Sequence, residues 1–260
     1  MHTKSETILF VLFSMLIGIL MDFGLPQASA DEDVPESMSG HGRNVFVVAP
    51  LIGVDRNTLQ ARGMRGKPIE LKDTGPEYGV FALWSTKHFT VNNFVFWADV
   101  NNADVFGNVL FANYYYNPES RVTLNLGLGY IYHTIETKLN DITVKTPLPK
   151  LGVRIGLPEW GMYLNPYIGW TSEEIETTYG DRTDDAVLYG LTIGWNWRFL
   201  GAYLKYYYQD VLDSDDVYHV ARFRGNLFLT RRFGITTRFE YMEHSTSDDI
   251  SFLIGPAVAF

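Results

Sequence analysis

Residues 121–134 read RVTLNLGLGYIYHT, a stretch in which side chains of two kinds alternate at every second position. One face collects large apolar and aromatic side chains, namely Val122, Leu124, Leu126, Leu128, Tyr130 and Tyr132. The other face collects mainly small and polar ones, namely Thr123, Asn125, Gly127, Gly129, Ile131 and His133. Because successive side chains of a β-strand point to opposite faces, this pattern predicts a strand with one apolar and one polar face.

The same alternation recurs along the chain, for example in residues 186–199 and in residues 250–260, which read ISFLIGPAVAF and end on Phe260. Segments of this kind number about twelve. They lie near residues 44–55, 77–86, 91–100, 105–116, 121–135, 148–157, 162–172, 186–199, 202–210, 217–230, 235–244 and 250–260. Each has roughly the length that a tilted strand needs to cross a bilayer.

The connections between these segments alternate in length. Short links lie at residues 87–90, 117–120, 158–161, 200–201 and 231–234, whereas longer ones include residues 56–76, 136–147 and 173–185. Short turns on one side, long loops on the other and an even strand number are typical of outer-membrane barrels. We therefore predict an all-β fold: a closed, antiparallel transmembrane β-barrel of about twelve strands with up-and-down topology over residues 44–260. Barrels of about ten or fourteen strands remain alternatives, because residues 91–116 can be divided into strands in more than one way.

A secreted β-sandwich shows the same alternation, with its apolar face toward a core and its polar face toward water. The water-facing side of a sandwich is normally rich in Lys and Glu, whereas here the second face carries mainly Gly, Thr, Asn, Ser and Ala. That composition favours an enclosed lumen. We therefore expect the apolar side chains to face lipid, in a sheet whose closure leaves no unpaired strand edge in hydrocarbon.

The N-terminal residues predict export. Lys4 precedes an apolar stretch over residues 8–21, and Ala28-Ser29-Ala30 follows before the chain turns acidic. This pattern predicts a signal peptide over residues 1–30, cleaved after about Ala30. Residues 31–43 are polar and aperiodic, which predicts a short periplasmic leader. The apolar stretch is shorter than the roughly 18–20 residues of a membrane helix, so an uncleaved helical anchor is the weaker interpretation.

Composition excludes several functions. The chain carries 21 Lys and Arg residues against 30 Asp and Glu, a net charge of -9, which argues against a nucleic-acid partner. It contains no cysteine, so disulfides and Cys-based metal sites are excluded. The six His residues are scattered with no two at ligand spacing on one strand, and we predict neither a metal nor another cofactor.

Three features together resemble the bacterial outer-membrane β-barrel proteins of the porin-like type. They are the signal ending in Ala28-Ser29-Ala30, the paired strands throughout the mature chain and the terminal strand ending in Phe260. The resemblance implies a place in the cell outer membrane of a Gram-negative bacterium, in contact with its lipid and lipopolysaccharide. It also implies that the last strand with its C-terminal Phe260 is recognised by the outer-membrane assembly machinery.

Charged side chains within the strands predict the character of the lumen. Alternation places these basic residues inward: Lys150, Arg154, Arg198, Lys205, Arg222, Arg224 and Arg238. It places these acidic residues inward: Asp55, Asp99 and Glu240. A Lys or Arg on the lipid face at mid-depth costs about 2–4 kcal/mol, which favours the inward position. A basic wall favours anions, and the predicted size resembles that of the monomeric channels for acidic oligosaccharides. The basic residues also have a purely structural interpretation, as partners of the acidic side chains and Tyr hydroxyls.

The sequence thus predicts a narrow channel for small solutes with a preference for anions. A non-conducting barrel with a structural or interaction role is the alternative, since acidic residues gather in residues 173–185 and 210–216. A lipid hydrolase is a further alternative, but His244 shares its face with Thr246, while Ser245 and Ser247 point the other way. We therefore predict that the protein is not an enzyme.

Overall fold

The computed structural model of the protein describes residues 45–62, 68–100, 103–137, 141–196, 200–212, 217–244 and 247–260. The predicted signal peptide (residues 1–30), the predicted leader (residues 31–43) and Arg198 lie outside the described residues. Among the described residues, no helix is long and apolar enough to cross a membrane.

Twelve strands and one short turn of 3₁₀ helix (Pro158–Trp160) make up the described chain. The strands are β1 (Val45–Arg62), β2 (Pro68–Ser85), β3 (Phe89–Val100), β4 (Ala103–Tyr116), β5 (Val122–Glu136), β6 (Asp141–Leu157), β7 (Met162–Thr177), β8 (Gly180–Asn196), β9 (Leu200–Val211), β10 (Val217–Phe228), β11 (Phe233–His244) and β12 (Ser247–Ala259). Each strand pairs antiparallel with the next one along the chain, and β12 pairs with β1. The predicted closed, up-and-down, twelve-stranded barrel is confirmed.

The two ends of the barrel differ. At one end lie Val45, Phe260 and the turns that follow β2, β4, β6, β8 and β10. Outer-membrane barrels place such short turns in the periplasm, so we call this end the periplasmic end and the opposite one the extracellular end. The prediction of long loops at the extracellular end is wrong. Residues 56–76, 136–147 and 173–185 are mostly strand, because the alternation and pairing continue, for example between Val144 and Ile175.

The outer face of the barrel is apolar. Leu126, Leu128 and Ile168 are 48%, 60% and 47% exposed, which buried core residues never are. Exposed aromatic side chains lie near the periplasmic end (Phe89, Tyr116, Trp160, Phe233 and Phe260) and toward the extracellular end (Tyr78, Tyr130, Trp170, Tyr189 and Tyr206). An apolar band between two aromatic girdles is the surface of a membrane-spanning barrel. The apolar side chains therefore face outward, as the alternation predicts.

Two of the strand pairs are interrupted by proline. Between β1 and β12 the pairing stops after Val48 and resumes at Ile52, and the register places Pro50 opposite Pro256 in the gap. Between β6 and β7 it stops after Lys145 and resumes at Lys150, a gap that contains Pro147 and Pro149, and it is interrupted again between Gly152 and Ile155, where the register places Pro166 opposite Val153. Proline has no backbone N–H to donate to a neighbouring strand. We call these two lines the proline seams.

The proline seams lie on opposite sides of the barrel. They divide it into β1–β6 and β7–β12, and within the described residues the other ten strand pairs are continuous. A glycine makes room at the first seam. A Cβ on Gly255 would lie 1.8 Å from the Pro50 carbonyl oxygen, so no larger residue fits there without a backbone shift.

Candidate functional site: a basic chamber inside the barrel

Strand register turns the predicted basic residues of the described chain inward. Arg222 on β10 pairs with Lys205 on β9, and Arg224 pairs with Arg238 on β11. Arg154 on β6 pairs with Thr123, which lies opposite the lipid-facing Leu side chains of β5. The structure buries Lys205, Arg222, Arg224 and Arg238, each 7–8% exposed. Cations so far from water must be stabilised by the interior itself.

A chamber opens within the periplasmic half of the barrel and encloses about 170 Å³. A single water requires about 10–15 Å³ on the same scale, so the chamber has room for a small solute with water. Six cations line it: Lys87, Lys150, Arg154, Lys205, Arg222 and Arg224. Its rim includes Thr86 and Lys87 of the turn after β2, which places the mouth at the periplasmic end. No Asp or Glu belongs to the described lining.

Aromatic rings support the cations of this chamber. Lys205 Nζ lies 4.7 Å from the centroid of Phe111, and Lys150 Nζ lies 5.2 Å from the same centroid. The Arg224 guanidinium lies 3.8 Å from the ring of Phe81. Such contacts with a ring face contribute about 0.5–2 kcal/mol each, the larger value applying where water is excluded. They stabilise the cations without removing their charge.

Several of these contacts join strands that are not neighbours. Lys205 reaches from β9 to Phe111 on β4, and Arg224 reaches from β10 to Phe81 on β2. Arg238 reaches from β11 to Phe94 on β3, where the guanidinium lies 4.1 Å from the ring centroid. Each pair links the half-barrel β7–β12 to the half-barrel β1–β6 across the lumen. We call these three pairs the cross-lumen contacts, and they narrow the lumen in this structure.

A second group of interior residues pairs charge with charge. Glu240 on β11 accepts hydrogen bonds from Arg222 Nε and from Arg222 Nη2, the latter at 2.9 Å, and also from Arg238. Arg238 Nη1 lies 3.7 Å from a carboxylate oxygen of Glu77 on β2. The Ser251 hydroxyl donates to Glu77 as well. These four charged residues form the carboxylate network, which also ties β2, β11 and β12 together beside the first proline seam.

The carboxylate network neutralises only some of the lumen cations. Arg222 and Arg238 have ion-pair partners within it, as the structural interpretation of the basic residues expects. In the described part of the chain, Lys150, Lys205, Arg154 and Arg224 have no carboxylate within ion-pair distance. Arg224 Nε is buried without a hydrogen-bond partner. The chamber therefore keeps a net positive charge and a free donor.

The predicted acidic residues are only partly correct. Glu240 lies inside the barrel, next to the cations it was expected to meet, and Asp55 lies inside, opposite Ser251 in the central part of β1. The prediction that Asp99 lines the lumen is wrong. Its neighbour Ala98 pairs with the inward Glu77, so Asp99 faces outward, where it is exposed at the extracellular end of β3. At a strand end both faces are wet, so a carboxylate gains nothing from the inward position.

Sequence reasoning missed Glu77, which is 1% exposed. Its face of β2 also carries Phe81 and Leu83, which are apolar, while the opposite face carries Val80 and Trp84. Because both faces of β2 are apolar, alternation alone did not reveal which of them is the inside. The signal that was available is the glutamate itself, since an unpaired carboxylate does not face hydrocarbon.

The last residue is fixed at the first proline seam. The backbone N–H of Phe260 donates to the Phe46 carbonyl at 2.8 Å, and the two rings lie 6.1 Å apart. The Phe260 side chain is 64% exposed on the outer face of the barrel. The residue is thus both a part of the closing strand pair and accessible from outside.

Metal-ligating side chains do not cluster in the described part of the chain. No group of three or more His, Asp or Glu side chains in the described residues could hold a metal ion. His133, which faces inward, packs edge-on against Phe96 at 5.6 Å, and its Nε2 has no hydrogen-bond partner. His244 stacks on Tyr218 at 4.2 Å between ring centroids, while Ser245 and Thr246 lie outside the described residues.

Comparison with known proteins supports the fold alone. No protein-family model and no curated protein matches the chain. The translocator domain of the autotransporter NalP from Neisseria meningitidis is similar in structure, with a TM-score of 0.54 and 14% identity over 86% of this chain and 91% of that one. This chain has the fold of an outer-membrane β-barrel.

Two further structures are similar at lower scores. The transport unit of the autotransporter AIDA-I from Escherichia coli has a TM-score of 0.49 and 10% identity, covering 86% of this chain and 93% of that one. The KdgM porin in complex with disordered oligogalacturonate has a TM-score of 0.44 and 13% identity, covering 80% and 99%. At these identities neither likeness extends to function.

Proposed function

We propose that the protein is a narrow channel of the outer membrane that favours small anionic solutes. The observation that carries this proposal is the chamber lined by six cations, whose described lining contains no carboxylate. An anion entering from the periplasmic mouth would meet uncompensated positive charge in a region of low dielectric constant, where electrostatic attraction is stronger than in water.

The distribution of partners within the lumen supports anions over cations. A chain with net charge -9 nevertheless concentrates basic side chains in one enclosed space. Four of them, Lys150, Arg154, Lys205 and Arg224, contact aromatic rings instead of carboxylates. Holding cations against rings keeps their charge available to a solute, whereas ion pairs would cancel it.

Passage through the barrel requires that the cross-lumen contacts separate. Lys205 and Arg224 carry their charged groups on flexible aliphatic stems, so each charged group can leave its ring and move with a solute. The loss of each ring contact costs about 0.5–2 kcal/mol. A non-conducting barrel with a structural or interaction role is the second candidate. It is favoured by the packing of the interior, where Leu188 and Leu253 are 0% exposed.

Reversal potentials across a planar bilayer test the proposal. The refolded protein is placed in a KCl gradient, and a reversal potential of the sign given by chloride flux is expected. Arg224→Gln should move it toward the value of an unselective pore, whereas Lys145→Gln on the outside of β6 should leave it unchanged. Arg222→Ala is a poorer test, because it removes a partner of Glu240 as well as a charge. A cation-selective current would refute the proposal, and the absence of current would favour the second candidate.

The route to the membrane belongs to the same proposal. Residues 1–30 would direct export and be removed, and the exposed Phe260 on the closing strand would be read by the assembly machinery. The lipid-facing band would contact outer-membrane lipid, and the extracellular strand extensions would meet lipopolysaccharide. Membrane fractionation of cells that express Phe260→Ser tests this, since reduced insertion with unchanged export is expected.

We propose no catalytic role. His133 packs against the ring of Phe96, and its Nε2 has no hydrogen-bond partner. Release of fatty acid from phospholipid by the purified barrel would contradict this.

A further inference from the structure

The two lysines of the chamber converge on the same aromatic rings. Lys150 Nζ and Lys205 Nζ lie 5.2 Å and 4.7 Å from the centroid of Phe111, and both lie 5.4 Å from the centroid of Tyr167. Since the distances are measured to shared centroids, the two nitrogens lie less than about 10 Å apart. The lysines come from β6 and β9, so the barrel fold, and not sequence proximity, brings them together.

Neither lysine is neutralised. Lys205 is 8% exposed, and its Nζ atom lies over the ring faces of Phe111, Tyr167 and Tyr207. Lys150 likewise contacts rings and has no ion pair in the described chain. The nearest guanidinium on the adjoining strand, that of Arg222, is occupied by Glu240. The site therefore brings two lysine amines close together, and neither has a carboxylate partner in the described chain.

Amide groups in the same lining add hydrogen-bonding capacity. Asn113 and Asn165 both line the chamber and are 8% and 7% exposed. The Oδ1 atom of each is buried without a hydrogen-bond partner. Buried polar atoms of this kind are normally satisfied, so these two are available to a ligand that carries a hydroxyl group. A bare halide has no hydroxyl group to donate to these two amide oxygens.

We infer that Lys150 and Lys205 form a binding site for the phosphate group, either as inorganic phosphate or as a monoester. A phosphate dianion balances both ammonium charges at once, whereas a monoanion leaves one uncompensated. Lysine binds phosphate as a point charge and needs no fixed fork geometry, which suits two flexible stems that meet over a ring. The unpaired amides of Asn113 and Asn165 accept from the hydroxyl of hydrogen phosphate or of an esterified polyol. This inference rests on the proposed function and names the class of anion that its chamber selects.

Calorimetric titration of the refolded full chain in detergent tests the site without any need for current. The titration is run at about pH 8, above the second pKa of a phosphate monoester, which is about 6, so that the ester probe is a dianion and inorganic phosphate is mostly one. Inorganic phosphate and glycerol 3-phosphate are the two probes, and chloride is the monoanion control. Binding of inorganic phosphate with no binding of chloride is expected, and the ester probe distinguishes a site for the free ion from one for the monoester.

Matched variants locate the binding. Lys150→Gln and Lys205→Gln should each weaken phosphate binding by about tenfold or more, as expected for a lost charged hydrogen bond. Lys145 lies on the same strand as Lys150 but on the outer face, so the Lys145→Gln variant should bind phosphate as the wild type does. Lys205→Arg, which keeps the charge, should retain most of the affinity. Heat-modifiable electrophoretic mobility shows which variants have folded, and Lys205→Met replaces Lys205→Gln if the latter does not.

The outcomes separate this inference from the proposed function. Equal heats for phosphate and chloride, or wild-type affinity in a folded Lys150 or Lys205 variant, would overturn the site. Phosphate binding by a barrel that passes no current would uphold the site and refute the channel. An anion-selective current from a barrel that does not prefer phosphate would uphold the channel and refute the phosphate site.

Discussion

The lumen cations on β6 and β9 are held by aromatic rings, whereas two of those on β10 and β11 are held by carboxylates. Lys205 and Lys150 contact the ring of Phe111, while Arg222 and Arg238 share the carboxylate of Glu240. Both arrangements stabilise charge away from bulk water, but only the second cancels it. The comparison teaches that one lumen can contain structural cations and available cations, and that the partner of each cation distinguishes the two kinds.

Removal of the shared carboxylate should break the comparison most strongly. Glu240→Ala leaves Arg222 and Arg238 without their common partner, and the loss of one member of a buried ion pair typically costs about 3–5 kcal/mol. The free energy of unfolding is measured by urea titration with tryptophan fluorescence. Lys205→Met is the matched control, because no carboxylate is left unpaired. An equal loss in both variants would mean that ring-held and carboxylate-held cations are energetically alike.

Neutralising the same carboxylate without changing its shape should sharpen the comparison in the current. Glu240→Gln releases Arg222 and Arg238 from charge cancellation, so the preference for anions should increase. A unit charge a few ångströms away contributes on the order of 1–4 kcal/mol at the effective dielectric constant of a protein, and even a screened remainder changes a permeability ratio several-fold. Reversal potentials measure the ratio. A decrease in anion preference would show that Glu240 does not offset the basic chamber.

Truncation of the shared ring should have a smaller effect and leave charge untouched. Phe111→Leu removes the ring face that Lys150 and Lys205 contact, at a cost of about 1–2 kcal/mol in the free energy of unfolding. The anion preference should persist, because both ammonium groups remain. Loss of selectivity in a folded Phe111→Leu barrel would mean that the ring positions the charges and does not merely stabilise them.

The smallest effect is expected outside the lumen. Lys145 and Glu176 form an ion pair on the outer face of β6 and β7, with side chains 32% and 48% exposed. Exposed pairs of this kind contribute about 0.2–1 kcal/mol, and salt screens them. Glu176→Gln should therefore lower the free energy of unfolding by less than 1 kcal/mol, roughly the limit of the urea titration. A loss as large as that of Glu240→Ala would show that burial is not what separates the two ion pairs.

The fold was predictable because its period is short and repeated. In β5 and β8 the alternation of side chains shows which face of the strand points outward, as Leu126 and Gly127 illustrate. Twelve strands with such a pattern define the barrel. The prediction of which side chains face the lumen failed where this alternation is ambiguous. Asp99 lies at a wet strand end, and Glu77 lies on a strand that is apolar on both faces.

The candidate site was predictable only in part. Alternation turns Arg154, Lys205 and Arg224 inward, but it says nothing about which strand each one reaches across the lumen. The contact between Arg224 and Phe81 depends on the tilt and stagger of the closed sheet, which link residues 143 positions apart in the chain only after the barrel has formed. Whether a cation is neutralised is therefore a property of the closed barrel and not of any one strand.

The proline seams have a mechanical consequence. A closed sheet resists bending because every strand is hydrogen-bonded on both sides, and it yields first where that bonding is thinnest. The proline seams, at Pro50 with Pro256 and at Pro147 with Pro149, lie on opposite sides of the barrel. A compressed barrel therefore becomes oval along one fixed diameter. Such a change of shape alters the cross-section of the lumen with little stretching of the sheet. The half-barrels β1–β6 and β7–β12 can thus move relative to each other about the proline seams, while the hydrogen bonds between strands within each half-barrel stay intact.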